Sequence, residues 1–203
     1  MNNLIDASKK AINIILHPSQ TQTDQSIKKN IIFYYNAALL PGILTAVLSS
    51  IFLAIFGIKA EILNGWPLNF TTPILILIGV GIVILDIFIL IPIFSFIDSV
   101  IFQLFAKKIF KIWAGDISKT YPAVLYGNFP AVFFIWLTFL PKPINFVIEI
   151  LVVIWAFVIL VIILSKQQKI SVLRAIGGVL LSAFMFGLII AIISILIMLG
   201  IFI

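Results

Sequence analysis

The sequence predicts an all-α polytopic membrane protein. Three observations carry this: 63% of the residues are hydrophobic against 10% charged, mean hydropathy is +1.30, and apolar stretches of about 18 residues or more recur along all 203 positions. So little polar material cannot cover a water-soluble surface. The absence of cysteine excludes disulfides, thiolate metal sites and a cysteine nucleophile, and the single histidine, His17, excludes multi-histidine metal sites. No catalytic residue, metal site or cofactor is expected. The net charge of +6 would suggest nucleic acid on a soluble chain, but on a membrane protein lysines and arginine are read against lipid headgroups.

Residues 1–30 are predicted to form a cytoplasmic surface helix and linker, and residues 31–203 a domain of five transmembrane helices. Leu4, Ile5, Ala11, Ile12, Ile15 and Leu16 approximate one helical stripe, with Lys9, Lys10 and Asn13 off it, the pattern of an amphipathic helix lying on a membrane. Its charges lie inside the apolar stretch, unlike those of a signal peptide. Pro18 stops it, and Lys28 and Lys29 are placed at the headgroups before the first span, 31–58. Lys59, Glu61, Asn64, Gly65 and Trp66 form a turn-rich loop with an interfacial tryptophan. The second span, 73–97, opens on Pro73, and an amphipathic extension reaches 112. There Ser95, Ser99, Gln103, Lys107 and Lys111 recur every fourth residue, a polar stripe expected to bend near Pro92 and finish at the headgroups. Spans three and four, 122–140 and 144–164, are joined by Pro141-Lys142-Pro143 as a tight hairpin. Span five, 175–203, exceeds the bilayer thickness and should tilt.

Orientation follows the basic residues. Eleven of the thirteen fall on one side, including Lys9, Lys10, Lys28, Lys29, Lys107, Lys108 and Lys111, while Lys59 and Lys142 fall on the other. The positive-inside rule then places the N-terminus in the cytoplasm and the C-terminus outside or in a lumen, in a multi-pass protein of a microbial cell membrane. Anionic headgroups are the expected contacts of these lysines.

An N-terminal surface helix ending in proline is followed by five spans, and a loop with Gly115 and Ser118 precedes Tyr126-Gly127-Asn128-Phe129-Pro130. Trp155 lies in span four, Ser171 in the next loop and Ala175 at the opening of span five. This order resembles the Yip1 domain family, particularly its short archaeal and bacterial members. The resemblance implies a cytoplasm-facing organiser or adaptor in membrane trafficking or membrane shaping, associating with protein partners and with other membrane helices. The chain lacks the long N-terminal region in which eukaryotic relatives carry partner motifs, so a small GTPase partner is not carried over.

Two acids lie in or beside span two. Asp86 is near its middle, where an ionised group costs about 2.5–3.5 kcal/mol, and Asp98 is nearer the cytoplasmic end. They are read either as a proton or cation path through a small transporter or channel, or as one structural polar contact and one interfacial pair of Asp98 with Lys107, Lys108 or Lys119. Glu149 is read as a rim partner of Lys142. Ala183, Gly187 and Ala191 recur every fourth residue of span five, a stripe suited to close helix packing within the chain or between copies.

Overall fold

The computed structural model describes residues 2–24, 26–56, 72–134, 136–137, 140 and 143–198. The predicted loop holding Lys59, Glu61 and Trp66, the hairpin residue Lys142 and the end of the fifth span lie outside them. The described residues are helical and contain no strand. In chain order they form α1 (Asn2–Leu16), α2 (Ile27–Phe56), α3 (Thr72–Leu85), α4 (Ile91–Phe102), α5 (Ile117–Gly127), α6 (Phe129–Phe134), α7 (Ile144–Gln168) and α8 (Val172–Met198). Wider π turns join α3 to α4 at Asp86–Leu90 and extend α4 over Gln103–Ile109.

Among the described residues four helical stretches are long and apolar enough to cross a membrane: Ile27–Ile51, Leu77–Ile109, Ile144–Gln168 and Val172–Met198. Their outer faces are apolar to a degree no aqueous surface allows, with Leu77 72% and Leu173 80% exposed, while their inner faces hold Thr45, Ser49, Ser95, Ser99 and Ser182, all buried. Apolar outside and polar inside is the arrangement a lipid solvent selects, because hydroxyls and amides find partners only within the bundle.

The predicted third span, 122–140, departs from a single rod. It is two short helices, α5 and α6, broken at Asn128, whose backbone N–H turns back to the carbonyls of Leu125 and Tyr126. Pro130 then occupies the first turn of α6, where its missing N–H costs nothing. Every residue from Thr120 to Gly127 is buried, so this broken segment is the centre of the bundle. Phe33 and Tyr34 of α2 pack on Tyr126 and Phe129, with ring centroids 5.4–6.2 Å apart. Gly127 lets α7 close in, since a Cβ there would lie 3.1 Å from Leu160 Cβ.

α1 has three faces. At about 100° per residue Ala7, Ala11, Ile14 and Ile15 share one side and are buried against the bundle. Ser8 Oγ donates to Ala37 O (3.3 Å), and Trp155 Nε1 of α7 donates to Ile15 O (3.2 Å). Ile5, Ile12 and Leu16, from the predicted stripe, form a second, exposed apolar strip, and Asp6, Lys9 and Asn13 a third, polar one.

Of the stripe Ser95-Ser99-Gln103-Lys107-Lys111, the first four positions turn toward protein: Ser95 and Ser99 are fully buried, Gln103 donates to Thr120, and Lys107 pairs with Asp116, while Lys111 is exposed. Phe94, Phe96, Ile97, Val100 and Leu104 take the outward face.

Candidate functional site

The polar groups collect at the end of the bundle where the basic segments meet. Gln168, the last residue of α7, is the hub. Its Oε1 accepts from Gly115 N–H (2.8 Å) and its Nε2 donates to Thr120 Oγ1 (3.1 Å), which also accepts from Gln103 Nε2 (2.5 Å). The Gln168 side chain thereby ties the end of α7 to the loop 110–116 and the start of α5, and Thr120 carries the tie on to Gln103 in the π turn after α4. A Cβ at Gly115 would fall 2.0 Å from Gln168 Oε1, so any larger residue would push this amide out of its place.

Trp113, in the same loop, is 4% exposed and packs on Gly178 of α8, where an added Cβ would lie 2.4 Å from the indole Cζ3. The loop is thus wedged against α7 and α8 at once. Turns at both sides carry lysines in left-handed conformation, Lys111 (φ 52°) and Lys169 (φ 54°). Lys169 closes α7 and returns its N–H to Ser165 O and Lys166 O, the position glycine usually takes. Lys166 Nζ reaches Ser19 O (2.7 Å), joining the linker after α1 to this platform.

At its rim Lys107 Nζ meets Asp116 Oδ1 at 2.6 Å. That hydrogen bond and the lysine charge, with Lys119 adding less, hold the exposed Asp116 carboxyl below its ordinary value. Asp116, not the expected Asp98, is therefore the partner of Lys107. Lys29 pairs with Asp24 (3.1 Å), Lys10 lies 5.1 Å over the Phe33 ring, and Lys9, Lys28, Lys108 and Lys111 are exposed.

The quoted loop residues have distinct places. Gly115 is in the hub, Ser118 is half-buried in the first turn of α5, Pro130 is buried, and Tyr126 donates to Asn30 Oδ1 (2.7 Å), whose Nδ2 in turn holds Asp24 O and Ser26 O. In the sequence Asn128 is quoted only within the run Tyr126–Pro130 and Asn30 is given no role of its own. For Asn128 a polar residue inside an apolar segment was the available signal; Asn30, next to Lys28 and Lys29, offered none.

Asp86 and Asp98 are not brought together. They lie twelve residues apart on one continuous helical stretch, about 18 Å at an α-helical rise, with Asp86 half-buried and Asp98 exposed. In the π turn that begins at Asp86 the carbonyls of Ile87 and Phe88 accept from the hydroxyls of Tyr34 (2.9 Å) and Tyr35 (3.1 Å). Glu149 is exposed, and its expected partner lies outside the described residues. The stripe Ala183, Gly187 and Ala191 is exposed, with nothing within 4 Å of a Cβ added at Gly187 among the described residues. Packing within the chain uses Ala175, Gly178, Val179 and Ser182 on another face of α8.

No protein-family model, curated protein or solved structure matches this chain.

Proposed function

We propose that the protein is a non-enzymatic membrane organiser or adaptor of the Yip1 domain type, five-crossing, with α1 and the Gln168 platform in the cytoplasm and the C-terminus on the far side. The fifth crossing is the broken α5–α6 segment, which runs antiparallel to α7 from Gln168 toward its start. The observation that carries the reading is the platform itself. Loop 110–116 and the turn after α7 are locked together by Gln168 and Trp113 and rimmed by Lys107, Lys108, Lys119, Lys166 and Lys169. A fixed, basic, solvent-facing surface suits anionic headgroups and cytoplasmic protein partners, and the exposed stripe Ala183-Gly187-Ala191 suits a neighbouring membrane helix.

The rival reading is a proton- or cation-coupled transporter using Asp86 and Asp98. Its separated carboxylates, one half-buried and one on the outer surface, disfavour it against an internal path. Mild detergent extraction of native membranes should yield stable partners that are lost when Gln168→Leu and Trp113→Ala disturb the platform. Flux in proteoliposomes that Asp86→Asn abolishes would replace the adaptor reading with the transporter.

A further inference from the structure

On the outer side of the bundle α4, α5 and α7 leave a cavity of about 200 Å3 whose lining includes Asp98, Asn128, Phe102, Ala156, Phe157 and Leu160. Its polar groups are two side chains, and their chemistry is one-sided. Asn128 uses Nδ2 to donate to Ser95 Oγ (3.1 Å) and Val124 O (3.1 Å), so its amide oxygen is the atom left to offer. Asp98 adds a carboxylate, which accepts only when ionised. Among the described residues no cation pairs with it, since Lys107 is held by Asp116 at 2.6 Å.

The site therefore presents acceptors, negative charge and apolar walls, and it asks for a donor-rich cation on an apolar stem. Its depth fits the same chemistry. Asp98 stands five residues, about 7 Å along the helix, from Gln103 at the polar end of the bundle, within reach of the headgroup layer. A carboxylate in apolar surroundings gains most from a compact ammonium carrying several N–H donors.

We propose that this cavity binds the primary ammonium headgroup of an aminophospholipid, phosphatidylethanolamine being the probe, with Asp98 and Asn128 taking the ammonium and Phe102, Phe157 and Leu160 the upper acyl chain. A fully methylated choline headgroup has no N–H to donate and is larger, so it is rejected.

The full chain is reconstituted in nanodiscs holding equal phosphatidylethanolamine and phosphatidylcholine of matched acyl chains, and retained lipid is read by native mass spectrometry. Retention should favour ethanolamine by about tenfold, the scale of one charge-assisted hydrogen bond. Preference should fall stepwise through the mono- and dimethylated headgroups with the unaltered protein. Asp98→Asn should bring selectivity to near unity, Ala156→Leu should lower total retention by filling the cavity, and Asp86→Asn should leave both unchanged. Equal retention of the two lipids, or selectivity that survives Asp98→Asn, overturns the proposal. So does loss of an oligomer in Asp98→Asn without any lipid preference, which would mark a basic residue of a second copy as the occupant.

Discussion

Gln168 shows how one side chain can organise an end of a membrane protein. It is the final residue of α7, 8% exposed, and it serves an amide donor and a hydroxyl on two different segments. Replacing it by leucine keeps the volume and removes both partners, leaving Gly115 N–H and Thr120 Oγ1 short of a bond. An unsatisfied buried group costs about 1–3 kcal/mol. Gln168→Leu should therefore lower the unfolding midpoint in detergent, and Gly115→Ala should do so by the same route, because its Cβ would displace Gln168 Oε1. Since both changes break one bond, the double variant should cost clearly less than the sum. Full additivity would show that the hub is not a unit. A second residue-scale expectation concerns Asp116. Its pair with Lys107 lowers the folded-state pKa, so any stability from the pair is present above the ordinary value of 3.8 and is lost as pH falls through the lower folded value. Carboxyl 13C titration should place the Asp116 midpoint below 3.8, and Lys107→Met should raise it toward that value. A midpoint unmoved by Lys107→Met would mean that the pair does not persist in solution.

Among the elements, the π turn at Asp86–Leu90 determines how α2 and α3 meet. Pro92 has no N–H for the carbonyls four and five residues before it, those of Phe88 and Ile87, and Tyr35 and Tyr34 supply the donors. Tyr34 is fully buried, whereas Tyr35 is 38% exposed. Tyr34→Phe should thus cost about 1–2 kcal/mol and Tyr35→Phe distinctly less. Equal effects would mean that burial of the Ile87 carbonyl is not what Tyr34 relieves. Pro92 made a bend and an unpaired carbonyl legible in the sequence, but the π turn and the hydroxyls of α2 that meet the carbonyls left no mark on it. The stripe from Ser95 to Lys107 was legible in period but not in direction. Headgroups and a bundle interior both attract polar side chains, so spacing alone cannot separate them. Small residues recur on more than one face of α8, and the buried face, Ala175-Gly178-Ser182, is the one that meets the indole of Trp113 on a loop distant in sequence. The four long apolar helices were readable because length and hydropathy alone define them. The broken α5–α6 segment was read as one apolar run, and the contact of Asn128 with a hydroxyl of α4 at its break is not visible in the sequence.

For the whole molecule, the contacts fix a relation that orientation alone does not. Lys166 binds the carbonyl of Ser19, Gln168 binds Gly115, and Lys107 binds Asp116, so the linker after α1, the loop before α5 and the turn after α7 occupy one end of the bundle. Three exposed positions sample those segments: Gln22, Ala114 and Ser171. The natural chain has no cysteine, so each can receive a single cysteine and be probed on sealed cells with an impermeant thiol reagent. The geometry requires the three to behave alike, whichever way the protein inserts. The excess of lysine at that end further requires that none react until the cells are opened, and that cysteine at Lys142, beyond the opposite end of α7, react from outside. The two requirements fail separately. Uniform labelling of the three from outside would keep the fold and reverse the orientation, moving any adaptor surface out of the cytoplasm. A split among the three would break the fold itself, because no insertion of this bundle puts Ser19 and Lys166, or Gly115 and Gln168, on opposite faces of a membrane.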